Sequence, residues 1–216
     1  FKDQVLFAPH EVLKKDSTPY KVYTPFSRFW IAKMDEMGIP NYPSETLLHK
    51  LYKSSFGKIP SLEELGFSKG QHNIPTANDS KGMMDAYEDT RNFPSMDSTS
   101  RLGVYLRFGA VSIRKVIQRA RTSTPPTFLK ELVWREFFMQ ILWHYPHTTH
   151  SSFKPQYDRI AWRNNQEDFK KWCEGNTGYP LVDAGMRELN QTGFMHNRVR
   201  MLVGSFLCKH LLIDWR

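Results

Sequence analysis

Polar side chains recur along one face of a predicted apolar helix, in the stretch "FLKELVWREFFMQILW" at 128–143. The spacing i, i+3, i+4 and i+7 aligns four residues on one stripe: Glu131, Trp134, Arg135 and Phe138. A carboxylate suits the edge of a base or ribose, an indole can stack on a planar group, and a guanidinium suits an anion. The alternative is structural, with an i, i+4 ion pair between Glu131 and Arg135 and with Trp134 in the core. Because the helix is apolar nearly all round, the pattern also predicts that it is buried.

A second polar stripe follows in "TGFMHNRVRM", residues 192–201, which opens another predicted helix. The residues that share one face of it are Asn197, Arg200, Met201 and Gly204. Guanidinium and carboxamide groups on an apolar helix need a partner, because burying each one unpaired costs about 1–3 kcal/mol. A glycine on the stripe would let a ligand approach the backbone closely. A satisfied polar network inside the core is the alternative.

Hydroxyl side chains stand before a third helical run, in "DSTSRLGVYLRFGAVS". At such a position Thr99 and Ser100 either cap the helix or, together with free backbone amides, bind a phosphate. The sequence contains no P-loop, GxGxxG or GxSxG pattern. The kinase, Rossmann dehydrogenase and α/β-hydrolase classes therefore lack their diagnostic residues.

The sequence predicts no metal site. In "HYPHTTH" three histidines, His144, His147 and His150, are spaced three apart, but Pro146 breaks any helix that would align them. No carboxylate or cysteine completes a ligand set there.

Composition favours a globular protein with an acidic partner. Thirty Lys and Arg residues against 22 Asp and Glu give a formal net charge of +8, which suits nucleic acid. Cys173 and Cys208 lie far apart, so we expect neither a disulfide framework nor a thiolate zinc site. Without an apolar run of membrane length or a signal peptide, the expected location is intracellular, in the cytoplasm or on the nucleoid if the source is bacterial.

Composition and helix-boundary signals divide the chain into three regions. We interpret residues 1–24 as the tail of a preceding domain, and 25–82 as an interdomain connection with the first helices. Within this connection, residues 36–82 are rich in Pro, Gly, Ser and Lys. Residues 83–216 are predicted to be mainly α-helical, with Ser112 as a cap. Pro180 and Gly193 should bound the helix "PLVDAGMRELN".

Four ordered stretches resemble the flavin-binding helical domain of the photolyase and cryptochrome family: "TSRLGVYLRFGAVSIR", "ELVWREFF", "GYPLVDAGMRELNQTGFMHNRVRM" and "SFLCKHLLIDWR". A further stretch, "STPYKVYTPFSRFW", resembles the segment that leads out of the family's N-terminal α/β antenna domain. The resemblance thus covers most of the chain. It implies a partial, mainly α FAD-binding domain from a monomeric enzyme that uses reduced FAD and light to repair cyclobutane pyrimidine dimers in UV-damaged DNA.

The same resemblance assigns roles to residues. The implied FAD contacts are Tyr87, Thr99, Ser100, Arg101, Leu102, Gly103, Phe128, Arg135, Asn197 and Arg200. Two of these positions depart from the family pattern, which commonly has Ser in place of Gly103 and Trp in place of Phe128. The implied catalytic residues in the lesion cavity are Glu131, Trp134, Asn197 and Met201. The implied DNA contacts are Arg91, Glu131, Trp134, Arg135, Asn197 and Arg198.

The resemblance also implies that Trp162 and Trp215 are the outer and middle members of a tryptophan relay to the flavin. The antenna chromophore would belong to the N-terminal domain and is not identified by this sequence. The carboxylate partner of Arg200 would lie beyond residue 216, so we expect this chain alone to hold FAD poorly.

Three other functions are alternatives, two within the family and one outside it. A (6-4) photolyase would have His at the positions of Asn197 and Met201, and a plant-type cryptochrome would tend to have Asp at the first. A basic helical nucleic-acid-binding module without cofactor would account for the charge alone.

Overall fold

A computed structural model describes residues 2–53, 57–68, 70 and 74–216. Within these ranges the regular secondary structure is helical, apart from one isolated antiparallel bridge between Leu13 and Pro19, and the remaining residues form turns and irregular segments. The helices are α1 (Tyr23–Met37), α2 (Lys81–Thr90), α3 (Gly103–Arg107), α4 (Ile113–Ala120), α5 (Thr127–His144), α6 (Gln166–Glu174), α7 (Pro180–Thr192) and α8 (Asn197–Lys209). The predicted mainly α fold is confirmed.

Helix boundaries follow the local sequence signals closely in α7 and less closely elsewhere. Pro180 is the first residue of α7, and Gly193 ends the helix with a left-handed φ of 70°, as predicted. Ser112 precedes α4 as its N-cap, but its side chain makes no capping hydrogen bond. Between α1 and α2, the described residues form one 3-10 helix, Ser44–Lys50, and are mostly exposed.

The described residues pack into two helical groups, each with its own apolar core. The first group joins the N-terminal segment with α1 to α5, and Trp30 and Val133 are completely buried in it. The second group joins α6, α7 and α8 around Val182, Met186 and Phe206. Gly185 lets α7 and α8 pack closely, because a Cβ at this position would clash with the Val199 side chain.

A buried carboxylate fixes α5 in the first group. Glu136 is 1% exposed, and it accepts hydrogen bonds from the backbone N–H groups of Leu6 at 2.7 Å and Phe7 at 3.0 Å. The indole N–H of Trp30 donates to the same carboxylate at 2.8 Å. Burial raises the pKa of Glu136, while these hydrogen bonds and the charge of Arg135 oppose the shift. The N-terminal segment, α1 and α5 therefore meet at one side chain.

The opposite side of α5 is open, so the prediction of a helix buried all round is wrong for that side. Phe138 is 60% exposed, Leu142 51% and Trp143 70%. On α8, Met201 and Leu202 are likewise exposed, by 59% and 39%. Within the described ranges, no helix is long and apolar enough to cross a membrane.

The Glu136 contacts yield a stability prediction. Glu136→Gln turns an amide NH2 towards groups that are themselves donors, so it should lower the free energy of unfolding by about 1–3 kcal/mol. The control is Glu63→Gln at an exposed position, where a change within about 0.5 kcal/mol is expected. Urea unfolding of both variants measures the difference, and equal stability of the two would contradict the anchoring role of Glu136.

Candidate functional site

A cavity of about 580 Å³ lies where the two helical groups meet. All its lining residues except Phe138 and His196 carry a role in the sequence prediction. They are Tyr87, Arg91, Thr99, Glu131, Trp134, Phe138, His196, Asn197, Arg198 and Met201. A more apolar cavity of about 700 Å³ adjoins it along α8 and shares Arg198 and Met201. Glu131, Trp134 and Phe138 of the first predicted stripe therefore face the same space as Asn197 and Met201 of the second.

The α5 wall presents an indole that is held in place by stacking. Trp134 lies on Tyr23 with ring centroids 3.5 Å apart and planes inclined by 5°. The Phe138 ring lies 5.4 Å from that of Trp134, with planes inclined by 23°. The Tyr23 hydroxyl donates to the Lys130 carbonyl at 2.9 Å. Burial, helped by the charge of Glu131, raises the pKa of Tyr23 to about 12. At neutral pH the phenol is protonated and donates the hydrogen bond that holds it at Lys130.

Glu131 forms an ion pair with Arg91 from the end of α2, at the side of the cavity. The guanidinium of Arg91 also lies 5.7 Å from the centre of the Tyr87 ring. Both members of the pair are partly accessible, with side-chain exposures of 26% and 34%. The cavity therefore holds one neutralised charge pair next to an aromatic wall.

The alternative of an ion pair between Glu131 and Arg135 is wrong for this structure. Arg135 turns towards the N-terminal segment, where Nη1 donates to the Gln4 carbonyl at 2.6 Å. Burial lowers the pKa of Arg135, while the neighbouring Glu136 opposes the shift. Arg135 is not among the residues that line the cavity.

The α8 wall begins at His196, which is 3% exposed and is the N-cap of the helix. Its Nδ1 accepts the backbone N–H of Arg198 at 3.2 Å. Arg198 Nε donates to the Asn92 side-chain oxygen at 2.9 Å, which joins α8 to the residues after α2. Asn197 Nδ2 lies 3.9 Å from the sulfur of Met201, so these two side chains form one patch of the wall.

The segment before α3 contributes Thr99 to the cavity. Neither Thr99 nor Ser100 is the N-cap of α3, because Leu102 occupies that position. The Ser100 hydroxyl instead accepts the Leu102 N–H at 3.4 Å. Gly103 is exposed and begins a helix of only five residues.

Arg101 crosses from this segment to the second helical group. Its guanidinium pairs with Asp97 at 2.8 Å and lies 5.1 Å from the centre of the Phe194 ring. It adopts a left-handed φ of 51°, which a non-glycine residue rarely takes. Its Nε is buried and finds no hydrogen-bond partner among the described residues.

Two further residues predicted to contact the flavin are placed away from the cavity. Phe128 is 4% exposed and packs in the core, with its ring edge-to-face against Tyr87 at 5.2 Å. Arg200 is exposed on α8 and does not line the cavity. Gly204 lies on the same predicted stripe as Arg200. A Cβ added at Gly204 would meet no atom within 4 Å, so no described residue packs closely against this glycine.

The two tryptophans of the predicted relay lie on paired segments. The N–H of Arg163 donates to the Leu212 carbonyl at 2.8 Å, which brings the segment of Trp162 beside that of Trp215. Trp215 is 46% exposed, whereas Trp162 is less exposed and its Nε1 is buried. Exposure alone therefore gives no support for Trp162 as the outer member of the pair.

Sequence reasoning left three supporting residues without a role: Tyr23, Asn92 and His196. For His196 a signal existed, because a polar residue directly before a predicted helix is a candidate N-cap. Tyr23 and Asn92 reach the site through contacts with residues more than 100 positions away in the sequence. No local pattern reports such contacts.

Comparisons with known proteins agree on one family. The family profile described as "FAD binding domain of DNA photolyase" matches residues 128–216. A deoxyribodipyrimidine photo-lyase of Alkalihalophilus pseudofirmus is 36% identical over all of this chain and 48% of its own length. The Escherichia coli protein of the same name is 35% identical over 100% of this chain and 49% of its own length.

Solved structures show the same relationship. A class III photolyase from Agrobacterium tumefaciens superposes with a TM-score of 0.81 at 34% identity, over 99% of this chain and 48% of that one. An archaeal photolyase from Sulfolobus tokodaii, solved with two FAD molecules, gives a TM-score of 0.77 at 28% identity, over 100% of this chain and 48% of that one. The chain spans about half the length of the curated relatives it matches.

The ion pair in the cavity can be tested by a double-mutant cycle of Arg91→Ala and Glu131→Gln. Both groups are partly accessible, so we expect a coupling of about 0.5–1 kcal/mol in the free energy of unfolding. The control cycle combines Arg91→Ala with Asp89→Asn, an exposed acid on the same helix, and its coupling should be close to zero. Equal coupling in the two cycles would contradict a specific Arg91–Glu131 pair.

Proposed function

Since this chain belongs to the photolyase and cryptochrome family, we propose that it provides flavin- and lesion-binding surface of an enzyme that uses light to repair cyclobutane pyrimidine dimers in DNA. The observation that carries the proposal is the convergence of Glu131, Trp134, Asn197 and Met201, from two separate helical groups, on one cavity. A merely structural polar network would not need an open space of about 580 Å³ between its members.

The cavity wall offers groups that suit FAD. Tyr87 supplies an aromatic face, Thr99 a hydroxyl and Asn197 a carboxamide, and all three line the cavity. Arg101 does not line the cavity. Its Nε is buried without a partner among the described residues, and an anionic or carbonyl group of a ligand would satisfy this donor. Bound in reduced form, FAD would supply the light-driven electron chemistry, and the chain's own residues would bind and orient both cofactor and DNA.

The lesion would be held by stacking and by edge contacts. Trp134 is fixed against Tyr23, and a pre-oriented aromatic ring contributes about 1–3 kcal/mol per stacked base. Glu131 can accept hydrogen bonds from a pyrimidine edge, and Met201 offers a soft apolar contact, 59% exposed in the free chain. A dinucleotide flipped out of the duplex would meet these groups together.

The DNA backbone would be bound by Arg91 and Arg198, which flank the cavity. In the free chain their guanidinium groups are held by Glu131 and Asn92. The formal charge of +8 favours the approach of a polyanion. Phosphate contacts of this kind fix the position of the protein on DNA, whereas the cavity residues recognise the damage.

The choice of lesion is testable with the full natural protein. The two positions that carry His in the (6-4) pattern are Asn197 and Met201 in this chain, and both line the cavity. Illuminated protein with reduced FAD should therefore repair cyclobutane dimers in a synthetic oligonucleotide. Chromatography of the product strands measures repair, and a matched (6-4) oligonucleotide is the control substrate. Repair of the (6-4) lesion alone would reject the proposal, and light absorption without repair of either lesion would favour a cryptochrome receptor.

The DNA contacts make a separate prediction about salt dependence. Arg91→Ala and Arg198→Ala should each reduce the slope of log affinity against log salt by about one unit, and should weaken binding on all sequences alike. The control is Arg121→Ala, at an exposed guanidinium that pairs with Asp35, neither of which lines the cavity. Slopes that stay at the wild-type value in both cavity variants would show that these arginines only form structural contacts.

A further inference from the structure

The first turn of α8 depends on a histidine that the proposed binding roles leave out. His196 is 3% exposed and lines the cavity, directly before Asn197 and Arg198. Its backbone is extended, with φ −58° and ψ 139°, and its side chain caps the helix in the place of the usual Ser, Thr, Asp or Asn. The ring therefore controls where the helix that carries the lesion and DNA contacts begins.

The two ring nitrogens have different surroundings. Nδ1 accepts the Arg198 backbone N–H at 3.2 Å, so it carries no proton. A neutral imidazole then has its proton on Nε2. Nε2 is buried and makes no hydrogen bond of standard geometry to any described residue.

Burial favours the neutral form of the ring. Burial lowers the pKa of His196 and the charge of Arg198 lowers it further, while Glu188 of α7 and the Arg91 backbone at the end of α2 oppose the shift. A proton on Nδ1 would replace the capping acceptor with a second donor. It would also add a positive charge close to the guanidinium of Arg198.

We propose that His196 is a positioning residue, which as the neutral Nε2–H tautomer holds the first turn of α8, and with it Asn197 and Arg198, at the cavity opposite α2. This role rests on the proposed function, because the position of the first turn of α8 matters for lesion binding only if the cavity binds the lesion. The ring caps α8 from within the seam, by which we mean the region around the cavity where the two helical groups meet. Loss of the cap frees the turn whose Arg198 side chain reaches across that seam to Asn92.

The test compares three variants of the full natural protein in binding a duplex with one cyclobutane dimer. His196→Ala removes the cap and should weaken this binding about tenfold, whereas His196→Asn restores a capping acceptor and should stay within about twofold of wild type. The matched control is Asn165→Ala. Asn165 caps α6 by accepting the Asp168 N–H at 3.0 Å, and α6 contributes no residue to the cavity.

A purely structural role predicts that His196→Ala and Asn165→Ala lower the urea midpoint and lesion affinity in parallel. That result would overturn the proposal, and so would a tenfold loss in His196→Asn. The expected result is a similar loss of stability in the two alanine variants, with loss of lesion affinity only in His196→Ala.

A second measurement does not depend on DNA. Long-range ¹H–¹⁵N spectra of histidine-labelled protein, assigned with His196→Asn, should show an unprotonated Nδ1 and a protonated Nε2 at neutral pH. A doubly protonated ring or the Nδ1–H tautomer would overturn the proposal. If wild-type protein binds damaged and undamaged duplexes equally, the proposed function fails, and the tautomer still tests the capping role of His196.

Discussion

The carboxylate of Glu136, buried at the middle of α5, accepts hydrogen bonds from two backbone N–H groups and from the indole of Trp30. These three donors come from the N-terminal segment and from α1, so one side chain fixes the rotation of α5 about its own axis. That rotation decides which residues of α5 face the cavity. Glu131, Trp134 and Phe138 line it because Glu136 faces the core, while Arg135 lies between the two faces and turns to Gln4.

The cavity itself exists because the chain packs as two helical groups rather than one. Each group has its own apolar core, and the contacts that cross between them include polar and cation–π pairs, Arg198 with Asn92 and Arg101 with Phe194. Polar contacts of this kind keep a seam accessible to water and ligand, whereas continuous apolar packing would close it. The seam is where residues far apart in sequence, such as Trp134 and Asn197, come to face one another.

Much of this arrangement could be predicted from sequence. Helical periodicity put Glu131 and Trp134 on one stripe and Asn197 and Met201 on another, and Pro180 and Gly193 gave the bounds of α7. The resemblance to a family then suggested that the two stripes face one cavity. Periodicity alone could not predict this, because it describes each helix separately. Periodicity wrongly placed Arg135 at the cavity. A helical stripe is about 100° wide, and the pattern does not distinguish a residue at its centre from one at its edge. The partner of Glu131 was missed since Arg91 is 40 residues away, and side-chain pairs at that separation depend on tertiary packing.

The central claim is that the cavity between the two helical groups receives the damaged dinucleotide. The most direct measurement is a crystal structure of the full natural protein with a duplex that contains one cyclobutane dimer. The account predicts that the dimer is flipped out of the helix, that it contacts Trp134 and Glu131 on one side and Asn197 and Met201 on the other, and that Arg91 and Arg198 lie on the flanking phosphates. A dimer that stays stacked in the duplex, or that binds outside this cavity, would contradict it.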